Sequence, residues 1–319
     1  MNIILTGCCG FIGYHLTKKI LLNKRNYIIG VDNINNYYSS NLKKKRLKEL
    51  KNFKNFYFFK KDIRKGLDFL SYKNKKKIDI IIHLSAQPGV RASFRNPETY
   101  FSNNILSFFN ICEFAKKKNI KNILTASSSS VYGQIKDKAS EEKDNAMPEN
   151  FYALTKLCNE KFSEYYSRVF SLNITCVRFF TVYGPMGRPD MFIWKMCDNI
   201  FFNKKINIHN NGKHLRDFTY IDDAIAMLMK IIKNKNLKKF NIFNICNSRP
   251  EKLSKVLTIF KKIKKLRNIN FIPFQKGEVK NTHGSNKKFT KKFGAIKSTS
   301  LEDGILRTVK WYKYYYKIK

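Results

Sequence analysis

The opening stretch of the chain restricts its fold more than any other. Ile3, Ile4 and Leu5 form a short apolar run leading straight into Thr6-Gly7-Cys8-Cys9-Gly10-Phe11-Ile12-Gly13, after which Leu16, Ile20 and Leu21 recur at helical spacing. A strand, a glycine turn and a helix in that order build a phosphate site. Gly7 permits the tight turn, Gly10 lets backbone approach a pyrophosphate, and Gly13 lets the helix pack close to the sheet. The helix N-terminus supplies free N–H groups. The spacing is GxxGxxG rather than GxGxxG. A second apolar strand, Tyr27 to Val31, ends in Asp32, about where an acid receives the adenosine ribose hydroxyls of a dinucleotide. A carboxylate there repels a 2′-phosphate, so the reading favours NAD over NADP.

Strand-like and helix-like stretches then alternate, as they do in an α/β doubly wound parallel sheet. The expected strands are Ile3 to Leu5, Ile28 to Val31, Phe56 to Phe59, Ile78 to Leu84, Ile123 to Ala126 and Ile174 to Phe179. Helices are expected over Glu98 to Lys117, Tyr152 to Phe170 and Met191 to Phe202. Ligands of such sheets bind beyond the carboxyl ends of the strands. Asp62-Ile63, His83-Leu84-Ser85-Ala86 and Ser127-Ser128-Ser129 fall at those ends. After Thr181 the pattern turns irregular, around Gly184-Pro185 and Arg188-Pro189, which suits a substrate-specific part. The expected division is a dinucleotide-binding domain over 1–180 and about 214–247, with a smaller substrate-binding domain over 181–213 and 248–319.

Tyr152 and Lys156, four apart on a helix, share one face and follow the serine run Ser127 to Ser130. A phenol ionises near ~10, and a neighbouring cation can draw that value toward a working range, making the pair a proton-transfer device. A solvated lysine-rich helix would carry the same spacing by chance. The upstream dinucleotide signature gives it chemical meaning.

The chain has 63 basic against 23 acidic residues, a formal charge of +40. That invites a nucleic-acid reading. Yet the lysines are dispersed among abundant Asn, Ile, Phe and Tyr, the residues of A/T-rich codons, and lysine exceeds arginine, whereas base readout favours the arginine fork. Runs such as Lys43-Lys44-Lys45-Arg46 and Lys75-Lys76-Lys77 read as solvated surface, and Lys261 to Lys265 as an exposed helix face. Seven cysteines show neither a CxxC pair nor a disulfide framework and read as reduced small hydrophobes; no metal is expected. No apolar run approaches a membrane span, and the first strand begins at residue 2, so the expectation is a cytoplasmic protein. His83 is expected to end its strand structurally, and Trp194 and Trp311 to pack.

Taken in order, these motifs resemble the extended short-chain dehydrogenase/reductase superfamily over nearly the whole length, and within it the UDP-glucuronate 4-epimerase group. The likeness is carried by Val31-Asp32-Asn33-Ile34-Asn35-Asn36-Tyr37-Tyr38, Ala86-Gln87-Pro88-Gly89-Val90-Arg91, Ser127 to Gly133, Arg178 to Pro185, Gly187-Arg188-Pro189-Asp190-Met191 and Arg216 to Asp223. The resemblance implies a Rossmann-like fold with NAD against Gly7, Gly10, Phe11, Ile12, Gly13, Asp32, Asp62, Ile63, Leu84, Ala86, Asn104 and Phe179. The register between Asn103 and Asn104 stays open.

It further implies that Tyr152 is the base, that Lys156 lowers its pKa and holds the nicotinamide ribose, and that Ser128 hydrogen-bonds the reacting hydroxyl. Ser129 and Ser130 would flank a UDP-sugar, Arg91 would contact it, and Arg216 would clamp its diphosphate. Thr181 and Arg188 would grip a uronate carboxylate, although Arg188 could instead pair with Asp190. Gly277-Glu278-Val279 and Thr282-His283 match the group more loosely. The implied reaction is C4 epimerisation through a 4-keto sugar. A neutral UDP-sugar substrate, decarboxylation of UDP-glucuronate and an NAD-sensing scaffold are the alternatives. A homodimer built on the Glu98 to Lys117 and Tyr152 to Phe170 helices is implied as well.

Overall fold

The computed structural model describes residues 1–70, 77–134, 138–234, 236–237, 239–274 and 279–319. Its strands are β1 (Asn2–Thr6), β2 (Tyr27–Asp32), β3 (Phe56–Lys60), β4 (Ile80–His83), β5 (Asn122–Ser128), β6 (Asn173–Phe179), β7 (Thr181–Tyr183), β8 (Ile206–His209), β9 (Leu215–Tyr220), β10 (Phe240–Ile245), β11 (Pro250–Lys252) and β12 (Ile269–Ile272). The α-helices are α1 (Phe11–Leu21), α2 (Ser40–Leu50), α3 (Val90–Arg95), α4 (Pro97–Tyr100), α5 (Ser107–Lys117), α6 (Phe151–Phe170), α7 (Phe192–Phe202), α8 (Ile221–Lys233), α9 (Leu253–Ile263), α10 (Lys287–Phe293) and α11 (Leu301–Tyr316). None of the described helices is long and apolar enough to cross a membrane.

The main sheet has seven parallel strands in the order β10-β6-β5-β4-β1-β2-β3. Successive strand residues point to opposite faces, and both faces are covered, which explains the nearly unbroken isoleucine runs. Ile3, Leu5, Ile28, Ile82 and Leu124 enter one core, shared with α1 and α8. Ile4, Ile29, Ile81 and Ile123 enter the other, against Phe108, Ile111 and Cys112 of α5. Each such side chain contributes about 1.5–3 kcal/mol, so the alternation also fixes strand register. From β1 the chain winds outward through β2 and β3, then crosses back to β4 on the other side. The loops after β1 and β4 therefore diverge and leave a crevice at the carboxyl ends. Two small sheets, β11-β9-β7 and β12-β8, stand beyond that end. Asp217 of β9, fully buried, ties the later segments together by accepting N–H bonds from Asn247 and Gly284.

Several expectations need correction. The fourth strand is shorter than Ile78 to Leu84, and the Glu98 to Lys117 helix is interrupted by a π-helical segment, Phe101–Leu106. The basic run 43–46 is not uniformly solvated: Lys43 and Arg46 are buried, because positions 43, 46, 47 and 50 share the inner face of α2. α9 stops at Ile263, so Lys264 and Lys265 lie past its end. Lys75 and Lys76 lie outside the described residues. The cysteines are all free and, apart from Cys158, buried; His83 closes β4 fully buried; Trp194 packs against Trp311 with ring centroids 5.4 Å apart and planes tilted by 54°.

Candidate active site

A cleft of about 260 Å³ opens at the switch point between β1 and β4. Its floor is the turn from β1 into α1. Gly7 has φ +76° there, and a Cβ on it would lie 2.7 Å from the Ser85 nitrogen, so both the turn and the approach of the β4 loop require glycine. Gly10, Phe11, Ile12 and Gly13 line the cleft where α1 presents its free N–H groups.

Asp32, at the end of β2, lines the cleft and accepts N–H bonds from Cys9 (3.0 Å) and Ile34 (2.8 Å). Burial pushes its carboxyl above the usual range, against the Ile34 bond and the charges of Lys43 and Arg46. Cys8, Cys9 and Asp32 bring two sulfurs and a carboxylate within 4.8 Å. Both Asp32 oxygens are already committed to N–H groups, and burial pushes the Cys8 thiol well up, so the trio is poorly suited to a cation. Asp62, Ile63, Leu84, Ala86 and Phe179 complete the lining expected from sequence. The Asp62 carboxylate itself is held by the Arg64 guanidinium and N–H, which keep it ionised below the ordinary carboxylate range. Helix N-terminus, buried acid and apolar walls are the donor set that NAD requires, and the residues present fit it.

At the other end of the cleft stand Ser128, Tyr152 and Lys156. β5 ends at Ser128, whose hydroxyl accepts the Ser130 N–H and starts a tight helical turn. α6 begins one residue before Tyr152, capped by Asn150, whose side chain accepts the Ala153 N–H. Lys156 follows one turn on and donates to the Ala126 carbonyl at 3.0 Å, its Nζ 6.0 Å from the Tyr152 ring centre. Burial draws the Lys156 pKa down to about 8. Burial also pushes the Tyr152 phenol up, while a hydrogen bond with Ser128 and the charge of Arg188 pull it down. Arg188 thus joins the expected Lys156 as a cation near the phenol. Beneath them, Arg178 and Glu160 form a buried two-pronged ion pair, and Ser127 donates to Glu160 at 2.5 Å, fixing the end of β5 against α6.

Arg188 lines the same cleft, and Asp190 engages it through Nε (3.0 Å) and Nη2 (2.5 Å). Other expected contacts lie elsewhere. Asn104 is fully buried, accepting the Gln87 N–H and donating to Thr155, while Asn103 lines the cleft; the π-helical segment shifts the register by which these neighbours face outward. Ser129, Ser130 and Thr181 are half-buried beside the cleft's lining residues rather than among them. Arg91 meets His209 at 2.8 Å, and Arg216 donates to the Leu215 and Lys280 carbonyls. To bind a diphosphate, either must exchange those partners. Thr282 accepts the Asp217 N–H and His283 accepts that of Ser140, whereas Gly277 and Glu278 lie outside the described residues.

Sequence reasoning missed Lys43 and Arg46, and left Asn103 as the alternative to Asn104. Lys43 lines the cleft beside Asp32 and donates to Asn35. Arg46 donates to the carbonyls of Cys9, Met186 and Gly187, joining the glycine turn to the loop that carries Arg188. The signal was the apolar face of α2, on which both cations sit.

Comparison with known proteins places these features. A model of the NAD dependent epimerase/dehydratase family matches residues 3–246. Protein CapI of Staphylococcus aureus is 38% identical over 335 aligned positions, covering 99% of this chain and all of that one. The UDP-glucuronate 4-epimerase of Thermodesulfobacterium geofontis is 35% identical over 311 positions, covering 97% of this chain and 95% of that one. A crystal structure of Bacillus cereus UDP-glucuronic acid 4-epimerase in complex with UDP-glucuronic acid and NAD superposes with a TM-score of 0.92 at 31% identity, over 99% of this chain and 100% of that one. With its seven-stranded parallel sheet, glycine turn and Ser128-Tyr152-Lys156 constellation, the chain belongs to the NAD dependent epimerase/dehydratase family.

Proposed function

We propose that this chain is an NAD-dependent epimerase that inverts C4 of UDP-glucuronate to give UDP-galacturonate. The convergence of Ser128, Tyr152, Lys156 and Arg188 on one cleft carries the reading. Similarity to the UDP-glucuronate 4-epimerases of T. geofontis and B. cereus supports the choice of sugar. NAD, when bound, accepts the C4 hydride and returns it. Tyr152, as phenolate, takes the proton of the C4 hydroxyl, and Ser128 holds that hydroxyl by a hydrogen bond. Lys156 supplies donors for the nicotinamide ribose. The 4-keto sugar then presents its opposite face, and Tyr152 gives its proton back to the new hydroxyl.

A 4-keto uronate is a β-keto acid, so the site must also restrain its carboxylate. Arg188 takes that role with Thr181 and the hydroxyls of Ser129 and Ser130, while Arg91 and Arg216 serve the UDP end. The dinucleotide unit is assigned to 1–180 with about 214–247, and the sugar unit to 181–213 with 248–319. The working unit is assigned as a homodimer. To test the substrate, the purified protein is incubated separately with UDP-glucuronate, UDP-glucose and UDP-N-acetylglucosamine, and the products are resolved by chromatography. UDP-galacturonate should appear from the first. Conversion of a neutral sugar alone, or a UDP-pentose as the main product, would sink the assignment.

A further inference from the structure

Asp190 has no part in the chemistry described so far, yet it occupies half of Arg188. A guanidinium has two edges that can each offer a pair of N–H donors: Nε with Nη2, and Nη1 with Nη2. Asp190 takes the first, accepting from Nε at 3.0 Å and Nη2 at 2.5 Å. Among the described residues no acceptor engages Nη1, so the second edge is free. The pair is only partly exposed, with side-chain accessibilities of 23% for Arg188 and 32% for Asp190. Burial would raise the Asp190 carboxyl, but the bonds and charge of Arg188 outweigh it and keep the acid ionised. The loop beneath is held too: Arg46 binds the Met186 and Gly187 carbonyls, and the Met191 N–H donates to the Arg188 carbonyl. An arginine on a long flexible stem is thus fixed in plane and direction at the wall that also carries Tyr152.

We propose that Asp190 is a positioning residue that aims the Nη1–Nη2 edge of Arg188 at the carboxylate of a UDP-uronate, and so keeps the 4-keto intermediate from losing carbon dioxide. This rests on the uronate reading given above. In the unwanted step the C5–C6 bond breaks, its electron pair enters the C4 carbonyl to form the enolate, and carbon dioxide leaves. A proton from water then adds to C5, leaving a 4-ketopentose. The electron pair can enter the carbonyl only if the C5–C6 bond stands perpendicular to the carbonyl plane. A carboxylate held by two N–H groups of a fixed guanidinium cannot swing to that angle. A guanidinium free to rotate would still neutralise the charge but would not set the angle.

The test uses the NAD-loaded enzyme with Asp190→Ala and Asp190→Asn, following products from UDP-glucuronate labelled at C6 and measuring sugar affinity by calorimetry. In Asp190→Ala the ratio of released carbon dioxide to UDP-galacturonate should rise about tenfold or more, and UDP-glucuronate should bind about tenfold more weakly, while UDP-glucose affinity stays unchanged. Asp190→Asn, which keeps one acceptor oxygen, should fall between wild type and alanine, and it carries the test if the alanine variant does not fold. An unchanged product ratio, or equal weakening toward both sugars, would overturn the proposal while the substrate assignment stands. A wild-type enzyme inert toward UDP-glucuronate would overturn both.

Discussion

Burial and ionisation oppose each other at Tyr152. The phenol must lose its proton to act as a base, yet desolvation raises its pKa, while the Ser128 hydrogen bond and the Arg188 charge work the other way. Activity should therefore rise with pH along an acid limb set by this phenol. Arg188→Ala removes a cation that lowers the phenol's pKa, so the limb should move to higher pH; a limb left in place would mean that Arg188 does not reach the base. Tyr152→Phe deletes the proton acceptor itself and should lower kcat about a thousandfold, with the thermal melting point close to wild type. Stopped assays across pH 6 to about 10 and a melting curve check both expectations. The Tyr152 and Lys156 pair was legible in sequence because i and i+4 share a helix face. The nearness of Arg188 to the phenol was not, since Arg188 arrives from a loop that spacing alone does not place. Nor was the choice between Asn103 and Asn104, because a π-helical segment shifts the register that ordinary helical periodicity assumes.

α2 shows what composition conceals at the level of an element. Its run of four basic residues reads as solvent-facing, and for Lys44 that holds, but Arg46 is fully buried and donates to three carbonyls and the Tyr38 hydroxyl. The helix period predicts this once Leu47 and Leu50 are recognised as the inward face; averaged charge hides it. Arg46 also links two loops of different duty, the glycine turn through Cys9 and the Arg188 loop through Met186 and Gly187. Arg46→Met should cost on the order of 3 kcal/mol, because the carbonyls it leaves behind are buried without donors. It should also raise KM for the UDP-sugar by loosening the loop. Lys44→Met, at an exposed position of the same helix, should change stability by less than about 0.5 kcal/mol. Urea midpoints for the two variants measure the contrast, and similar midpoints would return the whole run to the surface. The parallel strands, by comparison, were plain from their isoleucine runs, since burial on both faces leaves little freedom in composition. The two small sheets were not, as their short strands lack any such run.

For the whole molecule, the two largest surface terms oppose one another. A formal charge of +40 disfavours association of like chains, while the outer faces of α5, the π-helical segment before it and α6 expose large apolar groups. Phe101, Leu106 and Phe109 are 38–54% exposed, and Leu154, Tyr165 and Val169 of the neighbouring helix 42–49%. On α6, Leu154, Cys158, Tyr165 and Val169 recur at spacings of four, seven and four, which places them on one side of the helix. A patch of that kind needs a cover, and a second copy presenting the same two helices is self-complementary across a two-fold axis. Because the opposing term is long-range charge repulsion, which salt screens, and the favourable term is apolar burial, which salt does not weaken, dimerisation should strengthen with ionic strength. Sedimentation at ~0.05 M and ~0.5 M salt should show a larger dimer fraction at the higher value. Leu154→Asp should give a folded monomer at both. A wild-type protein that stays monomeric at high salt, or dimerises more weakly there, would mean that these helices face solvent and that the homodimer assignment is wrong.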